Sequence, residues 1–107
     1  MADDPETVER VRRLLASRDD VVEKRMVGGL SWSVRDRMCC GVTVTGLMVR
    51  LGRDGVAAAL SEPHVRPMTL GGKPLAAFVL VEPAGYAADA DLVRWLDRAL
   101  EFLASEG

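Results

Sequence analysis

The chain has 107 residues, 49% of them apolar and 28% charged, with a formal net charge of −2. That length suits one domain around one core (1–107), and the apolar fraction excludes a disordered chain. No apolar run approaches the ~20 residues that cross a bilayer, and the opening Met1-Ala2-Asp3-Asp4 is acidic where an export signal is basic, so a cytoplasmic protein without membrane contact is expected.

Charge is unevenly spread. Residues 1–54 hold 10 Lys and Arg against 9 Asp and Glu, and residues 55–107 hold 4 against 7. Neither half supplies the basic footprint that nucleic acid requires, so nucleic-acid binding by this chain alone is not expected. Asn, Gln and Ile are absent and only two Lys occur, the usage of a genome rich in G+C, which discounts Arg abundance as a functional clue.

Asp4-Pro5 opens a helix, because Asp caps free N–H groups and Pro is tolerated at the first helical position. Val8, Val11, Leu14 and Leu15 follow at helical spacing, and the helix is expected to end near Ser17. From Val21 the period changes to two: Leu30, Trp32 and Val34 alternate with Ser31, Ser33 and Arg35, and Leu47, Val49 and Leu51 with Met48 and Arg50. Gly28-Gly29, Arg35-Asp36-Arg37 and Thr45-Gly46 are the turn signals, too short for anything but antiparallel neighbours, which predicts a four-strand meander over 22–51. Arg53-Asp54-Gly55 breaks the sheet before a short Ala-rich helix from Val56 to Leu60. Residues 61–74, with three of the five prolines, read as extended or looped, with Gly71-Gly72 as a turn. Leu75 to Glu82 is apolar on both faces and belongs inside the sheet. After a break at Pro83-Ala84-Gly85-Tyr86, a helix starting at Asp89 or Asp91 presents Leu92, Trp95, Leu96, Ala99 and Leu103 to the core.

The resulting order, α-ββββ-α-ββ-α, predicts an α+β fold: a two-layer sandwich with a mainly antiparallel sheet and helices on one face. Period-two alternation puts Met38, Cys40 and Val42 on the core side and turns Cys39 outward. A disulfide between such neighbours needs a strained ring, so both are expected to be reduced: small hydrophobes on a half-buried strand, with a reactive Cys39 as the alternative. His64 is the only histidine, and two adjacent cysteines with one distant histidine lack the C-x₂₋₄-C spacing of structural zinc, so no metal or other cofactor is expected. A Cys-His nucleophile pair is formally available, but nothing marks Cys39 as activated. Gly71-Gly72-Lys73 lacks a P-loop context and reads as a turn. Arg10, Arg12, Arg13 and Arg18, diluted by Glu6, Glu9, Asp19 and Asp20, read as a solvated helix face, and Trp32 and Trp95 as core.

Met26-Val27-Gly28-Gly29-Leu30, Met38-Cys39-Cys40-Gly41-Val42, Leu47-Met48-Val49-Arg50-Leu51-Gly52 and Glu62-Pro63-His64-Val65-Arg66-Pro67-Met68 occur in this order. In that order and at those spacings they resemble the N-terminal domain of the TfoX (competence regulator) family over 8–103, with Val27 where Phe is expected before the Gly-Gly turn. The resemblance implies a two-layer fold like that of type III secretion chaperones. It also implies a regulatory or adaptor role in bacterial transcription, with no known cofactor or reaction. The full-length regulators carry a second, helical domain and act with the cyclic-AMP receptor protein. This chain ends at Gly107, which implies a stand-alone N-terminal domain.

The function expected is therefore a non-enzymatic protein-interaction module, a transcription-associated adaptor with an unknown protein partner, with a homodimer as an open alternative. The expected surface is an open sheet face bearing Ser31, Ser33, Arg35, Cys39, Thr43, Met48 and Arg50, with His64 and Arg66 beside it. The rival is a small-molecule binder or minor enzyme using a pocket around Cys39, His64 and Arg66; a structure that gathers those three favours the rival.

Overall fold

A computed structural model describes residues 4–26 and 28–106 of the chain. Val27 and the acidic opening Met1–Asp3 lie outside the described residues. The first helix, α1, spans Pro5–Leu15. Its N-terminus is capped as the sequence requires: the Glu6 N–H donates to Asp4 Oδ1 at 3.1 Å and Thr7 Oγ1 donates to Oδ2 at 2.8 Å.

Among the described residues, six strands form one antiparallel sheet. They are β1 (Val21–Met26), β2 (Gly29–Val34), β3 (Arg37–Thr43), β4 (Leu47–Arg50), β5 (Val65–Leu70) and β6 (Lys73–Val81), in the spatial order β1-β2-β3-β4-β6-β5. β1 to β4 are the predicted meander. β6 lies between β4 and β5, as its two apolar faces require, and the edge position of β5 suits Pro67, which cannot donate to a ladder. Gly71 and Gly72 make the two-residue β5–β6 turn with φ of 60° and 81°, the left-handed pair that such a hairpin needs.

The second helix, α2, spans Gly52–Ala59 and so starts four residues before the predicted Val56. Gly52-Arg53-Asp54-Gly55 has turn composition, yet it forms the first turn of the helix, with Asp54 favourably placed there. The last helix, α3, spans Asp89–Ser105 after a single 3₁₀ turn, Pro83–Tyr86. One buried cluster joins Val8, Val11 and Leu15 of α1, Ala59 of α2 and Leu92, Trp95, Leu96, Ala99 and Leu103 of α3 to one face of the sheet. This is the α+β sandwich expected from the element order.

Two irregularities in the ladder control which side chains face the helices. Trp32 pairs with Cys40 but Ser33 pairs with Met38, so Cys39 is an extra residue in β3. At a bulge the alternation of sides is interrupted. Cys39 and Cys40 consequently both enter the helix-side core, each fully buried, and Met38 moves to the opposite face. The expectation that Cys39 looks outward and Met38 joins the core is thus corrected. The second irregularity is in the last hairpin: Pro67 pairs with Val79 and Thr69 with Pro74, so Leu75–Phe78 stand opposite Met68 alone.

Candidate interaction surface

The sheet face turned away from the helices carries a second apolar cluster. Met48, Met68 and Phe78 are buried in it, and Met26, Met38, Leu75, Ala77 and Leu80 pack around them half-buried. Four of the chain's five methionines are in this one cluster. An antiparallel sheet with one solvated face normally alternates apolar-in with polar-out. Here the outward positions of β3, β4 and β6 instead include Met38, Met48, Phe78 and Leu80.

Gly41 shows how the cluster closes. A Cβ on Gly41 would come within 2.8 Å of Met26 Cε, so the Met26 side chain lies over the space that the glycine leaves. Met48, paired with Gly41, is 2% exposed although no helix covers it. Its cover is the flexible side chains around it. Met has three rotatable side-chain bonds and a polarisable sulfur, so such a cover re-packs at little cost.

Among the described residues, the same face carries cations and no strand carboxylate. The register runs Lys24–Ser31–Gly41–Met48–Leu80–Arg66 across all six strands, which places a cation at each end. Lys24 and Arg66 are well exposed and make only long ion pairs beyond the strands, to Asp36 at 3.8 Å and Glu82 at 3.4 Å. Arg50 stands between them. Its guanidinium lies 4.7 Å from the Phe78 ring centroid and its Nε donates to the Met38 carbonyl at 2.7 Å. No carboxylate among the described residues pairs with it, and burial, reinforced by the nearby charge of Arg37, holds its pKa below the ordinary arginine value.

The residues singled out from the sequence are only partly gathered. Ser31, Ser33, Thr43, Met48 and Arg50 share the outward face, and Arg66 joins them at its far edge. Arg35 sits in the exposed β2–β3 turn with φ 51°, at the rim. His64 is exposed just before β5, with φ 67°, and its carbonyl accepts from the Glu82 N–H at 2.8 Å. Cys39 is on the other side of the sheet, beneath the helices. It is also three strands from β5, about 14 Å at the usual strand spacing. The structure therefore does not bring Cys39, His64 and Arg66 to one pocket. Met26, Met38, Met68, Phe78 and Leu80 were not assigned to this surface from the sequence; three of them are methionines, and only the strand register shows that the five share a face.

Of the arginines read from sequence as a solvated face, Arg12, Arg13 and Arg18 are exposed, and Arg10 alone is largely covered. Arg10 donates to the Tyr86 carbonyl at 2.7 Å and to Asp89 at 3.0 Å, tying α1 to the start of α3. Arg12 is held between Glu9 and Glu23, and Arg13 reaches Asp89. A cleft of about 540 Å³ opens where β4 ends, lined by Arg37, Arg50, Arg53, Asp54, Phe102 and Glu106. Its mixed charges include an Arg37–Glu106 pair at 2.9 Å. Among the described residues, no three His, Cys, Asp or Glu side chains are grouped to hold a metal ion.

The molecule is thus an α+β domain with helices packed on one sheet face and a methionine-lined, cationic face opposite. The chain belongs to the TfoX N-terminal domain family, whose model matches residues 13–103. Comparison with curated proteins finds no match.

Proposed function

We propose that this protein is a non-enzymatic regulatory adaptor, associated with transcription in the cytoplasm, that holds a protein partner on the methionine-lined face of its sheet. The observation that carries the reading is the concentration of Met26, Met38, Met48 and Met68 with Phe78 and Leu80 on the face that the helices leave uncovered. Clustered apolar surface of this kind is characteristic of protein-contact sites, and Met-rich surfaces adapt to their partners. Family membership supports a regulatory role. A catalytic reading through Cys39, His64 and Arg66 loses its support, because the bulge in β3 places Cys39 in the core.

The test is site-specific photocrosslinking in the native cell. A benzophenone side chain at position 80 samples the outward face, and one at position 93 samples the exposed side of α3, where Val93 is 37% exposed. A discrete protein adduct from position 80 and none from position 93 is the expected result. Adducts from position 93 alone would move the working surface to the helical layer.

A further inference from the structure

Resting on that reading of the outward face, we propose that its partner is an amphipathic α-helix with an apolar stripe flanked by carboxylates. Three features of the face point to this occupant.

The first is charge. Lys24, Arg50 and Arg66 stand at outward strand positions, with Lys73 beyond them opposite Leu70, and the register leaves no Asp or Glu among those positions in the described residues. The exposed ion pairs that Lys24 and Arg66 make now, at 3.8 and 3.4 Å, are long and readily exchanged. An incoming carboxylate meets complementary charge at both ends of the apolar strip, and cationic flanks meet repulsion.

The second is backbone chemistry. The outward face offers side chains, with its N–H and C=O groups already committed to the ladders. An extended peptide lying there would leave its own backbone polar groups unpaired against methionine and leucine, whereas an α-helix brings them satisfied internally. Extended peptides instead suit a sheet edge.

The third is size. The row from Lys24 to Arg66 crosses five strand spacings, about 24 Å at ~4.8 Å each. That is the length of a helix of about 16 residues. The half-buried Met26, Met38 and Leu80 lie along this path, and their movement admits the apolar stripe to Met48. A helix of that length places carboxylates near Lys24 and Arg66 at once.

Fluorescence anisotropy on the intact chain tests this with two peptides of about 18 residues. One carries Leu and Met on a single face and Glu on the flanks; its counterpart has Lys at every Glu position. The expected result is micromolar binding of the Glu peptide, weakening as salt rises, and at least a roughly 10-fold lower affinity for the Lys peptide. The double variant Lys24→Glu/Arg66→Glu changes two exposed side chains, keeps the fold by circular dichroism, and reverses the preference. Equal binding of both peptides, or a preference unmoved by the double variant, overturns the proposal. So does an adduct from position 80 that joins two copies of this chain, or an adducted partner with no acidic amphipathic helix; those two outcomes leave the outward face as the contact surface. Loss of any position-80 adduct together with peptide binding removes both readings.

Discussion

At the scale of single residues, Cys39 and Cys40 carry the clearest consequence of the β3 bulge. Both side chains are fully buried in the same core, and the hydrogen bond with Cys39, together with burial, pushes the Cys40 pKa well up. Thiol reagents attack a thiolate they can reach, and access fails here first. Native protein at pH 7.5 is therefore expected to show two slow thiols that become fast together on unfolding. One thiol that reacts at once in the native state would return Cys39 to the surface. Trp95 is a second decisive residue. It is 1% exposed, its Nε1 donates to the Gly85 carbonyl at 3.1 Å, and the Arg98 guanidinium stacks 4.5 Å from its ring centroid. Trp95→Ala is expected to cost about 3–5 kcal/mol in denaturant unfolding, the usual cost of emptying an aromatic site in a core. A loss below about 1 kcal/mol would contradict the packing described.

At the scale of elements, Glu62 joins the exit of α2 to α3. Its carboxylate accepts from Arg94 at 3.1 Å and from Arg98 at 3.0 Å. Burial raises the Glu62 pKa, but the two arginine hydrogen bonds outweigh it, so the net shift is downward. A carboxyl depressed in the folded state contributes stability that is present above its unfolded pKa and lost as pH falls through the folded value. Glu62→Gln is expected to lower stability by up to about 1 kcal/mol at pH 7. The gap should shrink as pH falls below the ordinary glutamate range, which unfolding curves at pH 7 and pH 3 would show. A gap that widens in acid would contradict the sign.

Much of this architecture was legible because its causes are local. Asp4-Pro5 starts α1, alternation sets β2 and β4, and the apolar period of α3 names Leu92, Trp95, Leu96, Ala99 and Leu103. The extent of α2 was not, because two glycines in an eight-residue helix are tolerated only through packing that brings Ala59 into the core. The bulge at Cys39 was not either. A bulge belongs to the register between two strands, and alternation along β3 alone carries no mark of it. The same gap hid the site: Met26, Met38, Met48, Met68 and Phe78 come from five different strands, and only their pairing makes them one surface.

At the scale of the whole molecule, charge is organised in two ways. On the helical side many of the arginines are paired with carboxylates: Arg10 and Arg13 with Asp89, Arg12 with Glu9 and Glu23, Arg18 with Asp20, and Arg94 and Arg98 with Glu62. Neutralising several phosphates takes a coherent stripe of free cations, and this pairing with carboxylates interrupts such a stripe. Duplex and single-stranded oligonucleotides are expected to bind no more tightly than about 10⁻⁴ M at physiological salt. Micromolar affinity that falls with added salt, read by anisotropy, would favour direct nucleic-acid recognition over the adaptor reading.

The outward face has the opposite organisation, cations around a methionine cluster, and the adaptor reading requires that the protein be touched there. Methyl NMR on protein labelled at its methionine methyl groups reads the face directly, since Met26, Met38, Met48 and Met68 each report from it. Leucine methyl labels at Leu14 and Leu100, which border the groove between α1 and α3, serve as the control. Titration with a lysate of the native cell is predicted to shift or broaden the four methionine signals and leave the Leu14 and Leu100 signals sharp. Unchanged methionine methyls beside perturbed Leu14 and Leu100 would contradict the account.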